Sequence, residues 1–251
     1  MTKITLVTGA SRGLGRNTAL SVAHRGGDVI LTYRSRAEDA ESVAAEIQAM
    51  GRKAVALQLE TGDVTAFAPF ADRLRAALNE TWQRETFDHL VNNAGHGDYA
   101  LIDETTEAQF DGLVNVHFKG VYFLTQTLLP LIADGGRIVN LSSGLTRVSY
   151  PGYAAYAAVK GAVEVLSVYM ARELGGRGIA VNTVAPGAIE TDFGGGAVRD
   201  NPEINKIFAD TTALGRAGLP DDIGPMIASL LSEANCWVNA QRIEVSGGQG
   251  I

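Results

Sequence analysis

The sequence predicts a single-domain α/β fold: a doubly wound, parallel sheet of seven strands with helices on both faces. Two observations carry that prediction. Short apolar runs, several of them β-branched, alternate with helical stretches along the whole chain, an order that winds into one parallel sheet with right-handed crossovers. The first of these runs also passes straight into a glycine turn that opens a helix, a unit whose free N–H groups suit a phosphate.

Ile4 to Thr8 (ITLVT) reads as a strand buried on both faces. Gly9-Ala10-Ser11-Arg12-Gly13-Leu14-Gly15 follows, then a helix from Arg16 to His24. Gly9 suits the tight turn, while Gly13 and Gly15 let backbone approach a phosphate. A βα turn without a ligand is the plainer reading, and the TGxxxGxG spacing departs from the commoner GxGxxG. Asp28 to Tyr33 is the second strand. Dinucleotide folds that use NAD place an acid about 20 residues past the glycines, on the adenosine ribose. Here the strand ends Tyr33-Arg34-Ser35-Arg36, and the first acid is Glu38. With Arg12, these cations suit a 2′-phosphate, so NADP is expected over NAD, with NAD possible. Arg36 is equally read as a solvated loop charge.

Ala37 to Met50 is a helix that stops at Gly51, and Ala54 to Leu59 is the third strand. Phe67 to Leu78 is a helix, and Asp88 to Val91 is a strand ending in Asn92-Asn93-Ala94-Gly95, small enough for a flat ligand to lie against. Thr106 and Gln109 form a capping box for a helix running to about Ala133. Inside it Asn115, between Val114 and Val116, is read as an interior amide that must be bonded. Arg137 to Leu141 is a strand ending at Ser142-Ser143-Gly144, and the helix that follows carries Tyr153, Tyr156 and Lys160. Gly178 to Val184 is closed by Ala185-Pro186-Gly187. Residues 190–215, with Gly194, Gly195 and Gly196, show little periodicity and are expected to form a mobile substrate lid. Pro220 to Leu231 is the last helix and Gln241 to Val245 the last strand. Ligands bind beyond the carboxyl ends of such strands. The glycine turn, Asn93, Ser143 and Pro186-Gly187 all fall there.

Composition narrows the function. The net charge is −7 with no basic tract, which argues against nucleic acid. Cys236 is the sole cysteine, and His24, His89, His96 and His117 show no metal-ligand spacing, so no metal is expected. The opening MTKITLVTGAS enters a strand at once, without a leader or an apolar run of about 18 residues. The expectation is a cytoplasmic protein that does not use the membrane.

Tyr156 and Lys160 are four apart, so on a helix a phenol and an ammonium share one face. A phenol needs a drop of about 3 pKa units to exchange protons near neutrality, roughly 4 kcal/mol. One exposed ion pair supplies about 1 kcal/mol or less, so a buried site and a second positive charge are required. On its own Tyr-x-x-x-Lys is a common surface pattern.

The ordered set Thr8-Gly9-x-x-x-Gly13-x-Gly15, Asn92-Asn93-Ala94-Gly95, Asn115, Ser143, Tyr156-x-x-x-Lys160 and Pro186-Gly187-x-x-x-Thr191 resembles the short-chain dehydrogenase/reductase family. The likeness runs from Thr5 to Gly248, and Arg12 with Tyr33-Arg34-Ser35 resembles its NADP-preferring members, ketoacyl-carrier-protein-reductase-like and glucose-dehydrogenase-like. The resemblance implies a Rossmann domain that moves a hydride between NADP(H) and a small-molecule carbonyl or secondary alcohol. Tyr156 would be the general acid/base. Lys160 would hold the nicotinamide ribose and lower the phenol pKa, Ser143 would bond the reacting oxygen, and Asn115 would position a relay water. Gly9, Ser11, Arg12, Gly13, Leu14, Gly15, Tyr33, Arg34, Ser35, Asn93, Ala94 and Gly95 would bind the nucleotide, with Pro186, Gly187, Ile189 and Thr191 at its nicotinamide end. An Asp usually bonds adenine after the third strand; Glu60 stands there, and Asp63 is a second candidate. The usual acidic-Gly-Gly ending reads Ser246-Gly247-Gly248, and Asn239-Ala240-Gln241 replaces the usual Thr-Gly-Gln. Members are homo-oligomers, dimers or tetramers, built through the Tyr156 helix and the last strand. The competing readings are an NAD-dependent alcohol dehydrogenase and a non-catalytic dinucleotide-binding regulator.

Overall fold

The computed structural model describes residues 2–251. In chain order the elements are β1 (Ile4–Val7), α1 (Gly13–His24), β2 (Asp28–Tyr33), α2 (Ala37–Ala49), β3 (Ala54–Gln58), α3 (Phe67–Trp82), β4 (Phe87–Asn92), α4 (Glu107–Val114), α5 (Gly120–Leu128), β5 (Ile132–Leu141), α6 (Ala154–Leu174), β6 (Ala180–Pro186), α7 (Ala197–Asp200), α8 (Pro202–Asp210), α9 (Pro220–Leu230) and β7 (Arg242–Val245). All seven strands run parallel in the order β3-β2-β1-β4-β5-β6-β7. The chain steps outward from β1 to β3, then returns to add β4 on the other side of β1. That reversal opens a crevice at the strand carboxyl ends.

Alternation along each strand divides the core into two layers. Val29 and Leu31 of β2 pack with Ala19, Val22, Val43, Ile47, Ile223 and Ile227 from α1, α2 and α9. Ile30, between them, joins Ile4 and Leu6 on the opposite face, against Phe67, Phe70, Leu74, Leu124 and Leu128 from α3 and α5. α6 is apolar over enough length to cross a membrane. Here Val163 and Ala171 on its inner face are buried, alongside Tyr156 and Lys160.

Several boundaries move from the sequence reading. α1 begins at Gly13, not Arg16, which puts Gly13 and Gly15 into its first turn. α3 runs on to Trp82 because its stop is Gln83, a non-glycine residue at φ 52°. The helix expected to reach Ala133 ends at a short turn around Pro130, and Ile132 already pairs with Phe87. The 190–215 segment, read as aperiodic, folds into α7 and α8 after three consecutive left-handed glycines at φ 59°, 73° and 81°. Asn201 caps α8 through Glu203 and Ile204, with Pro202 at the first position.

Candidate active site

A cleft of about 850 Å³ opens over the carboxyl ends of β1, β2, β4, β5 and β6. The turn after β1 forms its floor. Gly9 and Gly13 have φ of 63° and 55°, open to glycine and strained for other residues. A Cβ on residue 15 would stand 2.4 Å from the Gly9 carbonyl oxygen and 2.5 Å from Asn93 Nδ2. Asn93 locks the turn to β4: Nδ2 donates to the Thr8 carbonyl at 2.9 Å, while the Asn93 and Ala94 N–H groups donate to Thr8 Oγ1 at 3.0 and 2.9 Å. α1 has no side-chain cap and no acid in its first turn. Its first N–H groups therefore remain for an anion, with the positive end of the helix dipole behind them. Ser11, Arg12, Gly13, Leu14 and Gly15 line this end, and Asn93, Ala94 and Gly95 line its wall. The donor set fits the pyrophosphate of a dinucleotide.

Arg34, Ser35 and Arg36 line the cleft beyond β2, but Tyr33 does not. As the last residue of β2, Tyr33 keeps the two-residue alternation and joins Val29 and Leu31 on the α1–α2 layer. Arg34 has left the strand and turns outward. Its Nε lies 2.9 Å from Glu60 Oε2, and Glu60 Oε1 accepts the Gly62 N–H at 3.1 Å. Asp63 lies outside the lining and is spent capping Thr65. Arg12 Nη1 meets Asp192 Oδ2 at 3.1 Å, joining the glycine turn to the segment after β6. At the other end Pro186, Gly187, Ile189 and Thr191 all line the cleft. Gly187 donates to the Val245 carbonyl at 3.1 Å, and Ala188 donates to Gln249 Oε1 at 2.9 Å.

Ser143, Tyr156 and Lys160 meet where β5 ends against the first two turns of α6. Tyr156 is 6 % exposed and Lys160 5 %. Burial drives the Tyr156 phenol above its ordinary range, with a contact from Ser143 pulling partly back. Burial pushes Lys160 down to about 7. Lys160 Nζ donates to the Leu141 carbonyl at 2.8 Å and lies 5.6 Å from the Tyr156 ring centre. The sequence reading had Lys160 lowering the phenol pKa. In the fold burial is the largest influence on both groups, leaving the phenol protonated and the amine half-charged at neutrality. Tyr153, the rival phenol, packs edge-on against Tyr99 at 5.6 Å.

His117 lines the cleft, and Asn115 stands two residues before it, outside the lining. Residues Asn115–Lys119 form a π-turn in which Gly120 N–H returns to the Asn115 carbonyl, five residues back. That extra residue rotates the helix face, as π-bulges do. Asn115 is half-buried, and the His117 ring lies 5.3 Å from Tyr156, edge to face. His117 Nε2 lies 2.6 Å from the His96 carbonyl oxygen. The His96 N–H also lies 3.3 Å from this nitrogen, but the shorter contact is to an oxygen that only accepts, which assigns the hydrogen to Nε2 and leaves Nδ1 a buried lone pair without a partner among the described residues. Burial, with Lys160 nearby, holds His117 well below the usual histidine range and therefore neutral. Sequence periodicity assumed 3.6 residues per turn and missed it. The one available signal was an apolar-flanked histidine two residues beyond Asn115.

Comparison with known proteins agrees with this geometry. The family model described as enoyl-(acyl carrier protein) reductase matches residues 9–249. The chain is 39 % identical over 251 residues to a 3-oxoacyl-acyl-carrier-protein reductase of Staphylococcus aureus, covering 99 % of this chain and 98 % of that one. It is 35 % identical over 262 residues to an NADPH-dependent aldehyde reductase-like chloroplastic protein of Arabidopsis thaliana, covering 98 % and 93 %. Among solved structures, the promiscuous reductase LugOII, a keto-reducing enzyme, superposes with a TM-score of 0.93 at 37 % identity over 99 % of this chain and 98 % of that chain. The angucycline C-6 ketoreductase LanV with bound NADP gives a TM-score of 0.93 at 36 % identity over 98 % and 95 %. Sheet order, glycine turn and full-length likeness together make this chain a member of the short-chain dehydrogenase/reductase family.

Proposed function

We propose that this oxidoreductase uses NADP(H) to interconvert a carbonyl and a secondary alcohol, with Tyr156 as general acid/base. The observation that carries this reading is the burial of Tyr156 and Lys160 together beside Ser143, in the same cleft as the uncapped start of α1. The nicotinamide, when bound, supplies the hydride. Its solved relatives include proteins with NADP bound.

Each residue has a task in this scheme. Ser143 Oγ holds the reacting oxygen against the Tyr156 hydroxyl. The raised phenol pKa keeps that hydroxyl protonated at neutral pH, ready to donate, and a developing alkoxide is still the stronger base. Lys160, anchored on the Leu141 carbonyl, has ammonium hydrogens left for ribose hydroxyls. His117 braces the Tyr156 ring and ties the 95–97 loop through His96, while Asn115 keeps the task of positioning a relay water toward Lys160. His117→Phe keeps the ring but strands the His96 carbonyl. It is expected to cost about 1–3 kcal/mol of stability, read by denaturant unfolding. Residues 190–215 act as the lid. The exposed Val165, Val168 and Tyr169 of α6 would carry a dimer or tetramer contact.

Cofactor choice rests on Arg34. Its exposed pair with Glu60 is worth about 1 kcal/mol or less, so the guanidinium can turn to a 2′-phosphate cheaply. Arg34→Asp is expected to lower kcat/KM for NADPH by roughly 10- to 100-fold, the worth of one charge-assisted contact, while NADH is little affected. Steady-state kinetics with both nucleotides decides it, and an unchanged NADPH preference sinks the assignment.

A further inference from the structure

The end of the cleft beyond Tyr156 is walled by aromatic rings from separate segments. Tyr150 and Tyr153 come from the approach to α6, Phe193 from the turn after β6, and Phe208 from α8. They meet as tilted or edge-to-face pairs: Tyr150–Phe208 at 5.8 Å and 77°, Tyr156–Phe193 at 5.6 Å and 57°, with Tyr99 behind Tyr153 at 5.6 Å and 79°. Two of these rings lie directly on glycine backbone. A Cβ on Gly97 would stand 2.6 Å from the Phe193 ring, and one on Gly152 would stand 2.2 Å from Tyr99. Any side chain there would move the wall.

The charges at this end are already engaged. Arg147 donates to Glu244 at 2.8 and 2.5 Å and to the carbonyls of Gln249 and Gly250 at 2.5 and 3.2 Å. Arg199 is held between Asp192 and Asp200. Neither Arg147 nor Arg199 stands without a carboxylate partner, so this end offers no unpaired cation set out for a phosphorylated arm. A flat ring system needs only π-faces and edges, and those are supplied.

Building on the oxidoreductase reading above, we infer that the substrate is a planar ketone fused to or conjugated with an aromatic ring. It lies along Tyr150 and Tyr153 under Phe193, with its carbonyl at Tyr156 and Ser143. The carbonyl carbon takes a hydride from reduced nicotinamide, which is oxidised, and the oxygen takes the Tyr156 proton. The C=O π bond becomes one C–H and one O–H bond.

The test uses the full chain with NADPH and three probes: 1-tetralone, cyclohexanone and acetoacetyl-coenzyme A. The expected result is a kcat/KM for 1-tetralone about tenfold or more above the other two, the worth of one or two ring contacts. Phe193→Ala should shrink the tetralone-to-cyclohexanone ratio by about the same factor. Binding of 2-naphthol, followed by its fluorescence, is expected in the wild type and is weakened in Phe193→Ala. Equal or better turnover of cyclohexanone or acetoacetyl-coenzyme A overturns the inference and leaves the oxidoreductase reading standing. Turnover without 2-naphthol binding does the same. Naphthol binding with no carbonyl reduced by either nucleotide supports the aromatic pocket and removes the oxidoreductase reading instead.

Discussion

A Tyr156→Phe protein is expected to lose about 10³-fold in kcat while binding NADPH as the wild type does. The ring stays, and with it the packing against His117 and Phe193 at 5.3 and 5.6 Å. Only the hydroxyl goes, and with it the proton that must reach the substrate oxygen. Positioned proton transfer contributes roughly 10²- to 10⁴-fold, which sets the size of the loss. Stability should change little or rise slightly, because the deletion also removes a buried polar group whose desolvation raised its pKa. Single-turnover rates with saturating NADPH, together with nucleotide binding by fluorescence, separate chemistry from affinity. Undiminished turnover would mean that another group supplies the proton. Tyr153, set against Tyr99 and three residues earlier, is the obvious substitute to delete next.

The parts of this site that sequence made visible are those set by local rules. Gly9, Gly13 and Gly15 were legible because strand, turn and helix follow one another without a gap. Tyr156 and Lys160 were legible because α6 is regular and spacing by four places both on one face. What was missed depends on departures from regularity or on distant partners. His117, set on Tyr156 from within the π-turn at Asn115–Lys119, carried no signal beyond that of an interior histidine. Tyr33 was grouped with Arg34 by adjacency in sequence, although one belongs to the alternating strand and the other lies past its end. The engagement of Arg34 by Glu60, and of Arg12 by Asp192, joins residues 26 and 180 positions apart in the chain. No window of sequence contains such a pair. The desolvation of Lys160 likewise follows from how β5 and α6 close over it.

Lys160→Met should move activity and stability in opposite directions. Methionine nearly matches the lysine stem in shape, so the packing between β5 and α6 survives. Turnover should fall at least 100-fold, because the anchor for the nicotinamide ribose and the charge beside Tyr156 are both lost. The fold should gain. In the native state the Lys160 pKa is about 7 against 10.5 for the free side chain. Below pH 7 both folded and unfolded chains hold the proton, and the folded chain bears the full cost of burying it. Between about pH 7 and 10.5 the folded lysine releases its proton while the unfolded one keeps it. The unfolded state then binds more protons, so wild-type stability climbs with pH by at most about 1.4 kcal/mol per unit. Tyr156 acts in the opposite sense above pH 10, where the unfolded phenol ionises and the folded one does not. At pH 6 the methionine variant is therefore expected to be more stable by about 1–3 kcal/mol, the relief of the buried charge exceeding the loss of the bond to the Leu141 carbonyl. Its stability should also lack the wild-type rise between pH 7 and 10. Denaturant unfolding of both proteins at pH 6, 8 and 9.5 measures the two quantities together. A variant that is less stable at pH 6, or that keeps the wild-type slope, would show that Lys160 is not held against its charge. The half-charged amine assigned to this site would then be wrong.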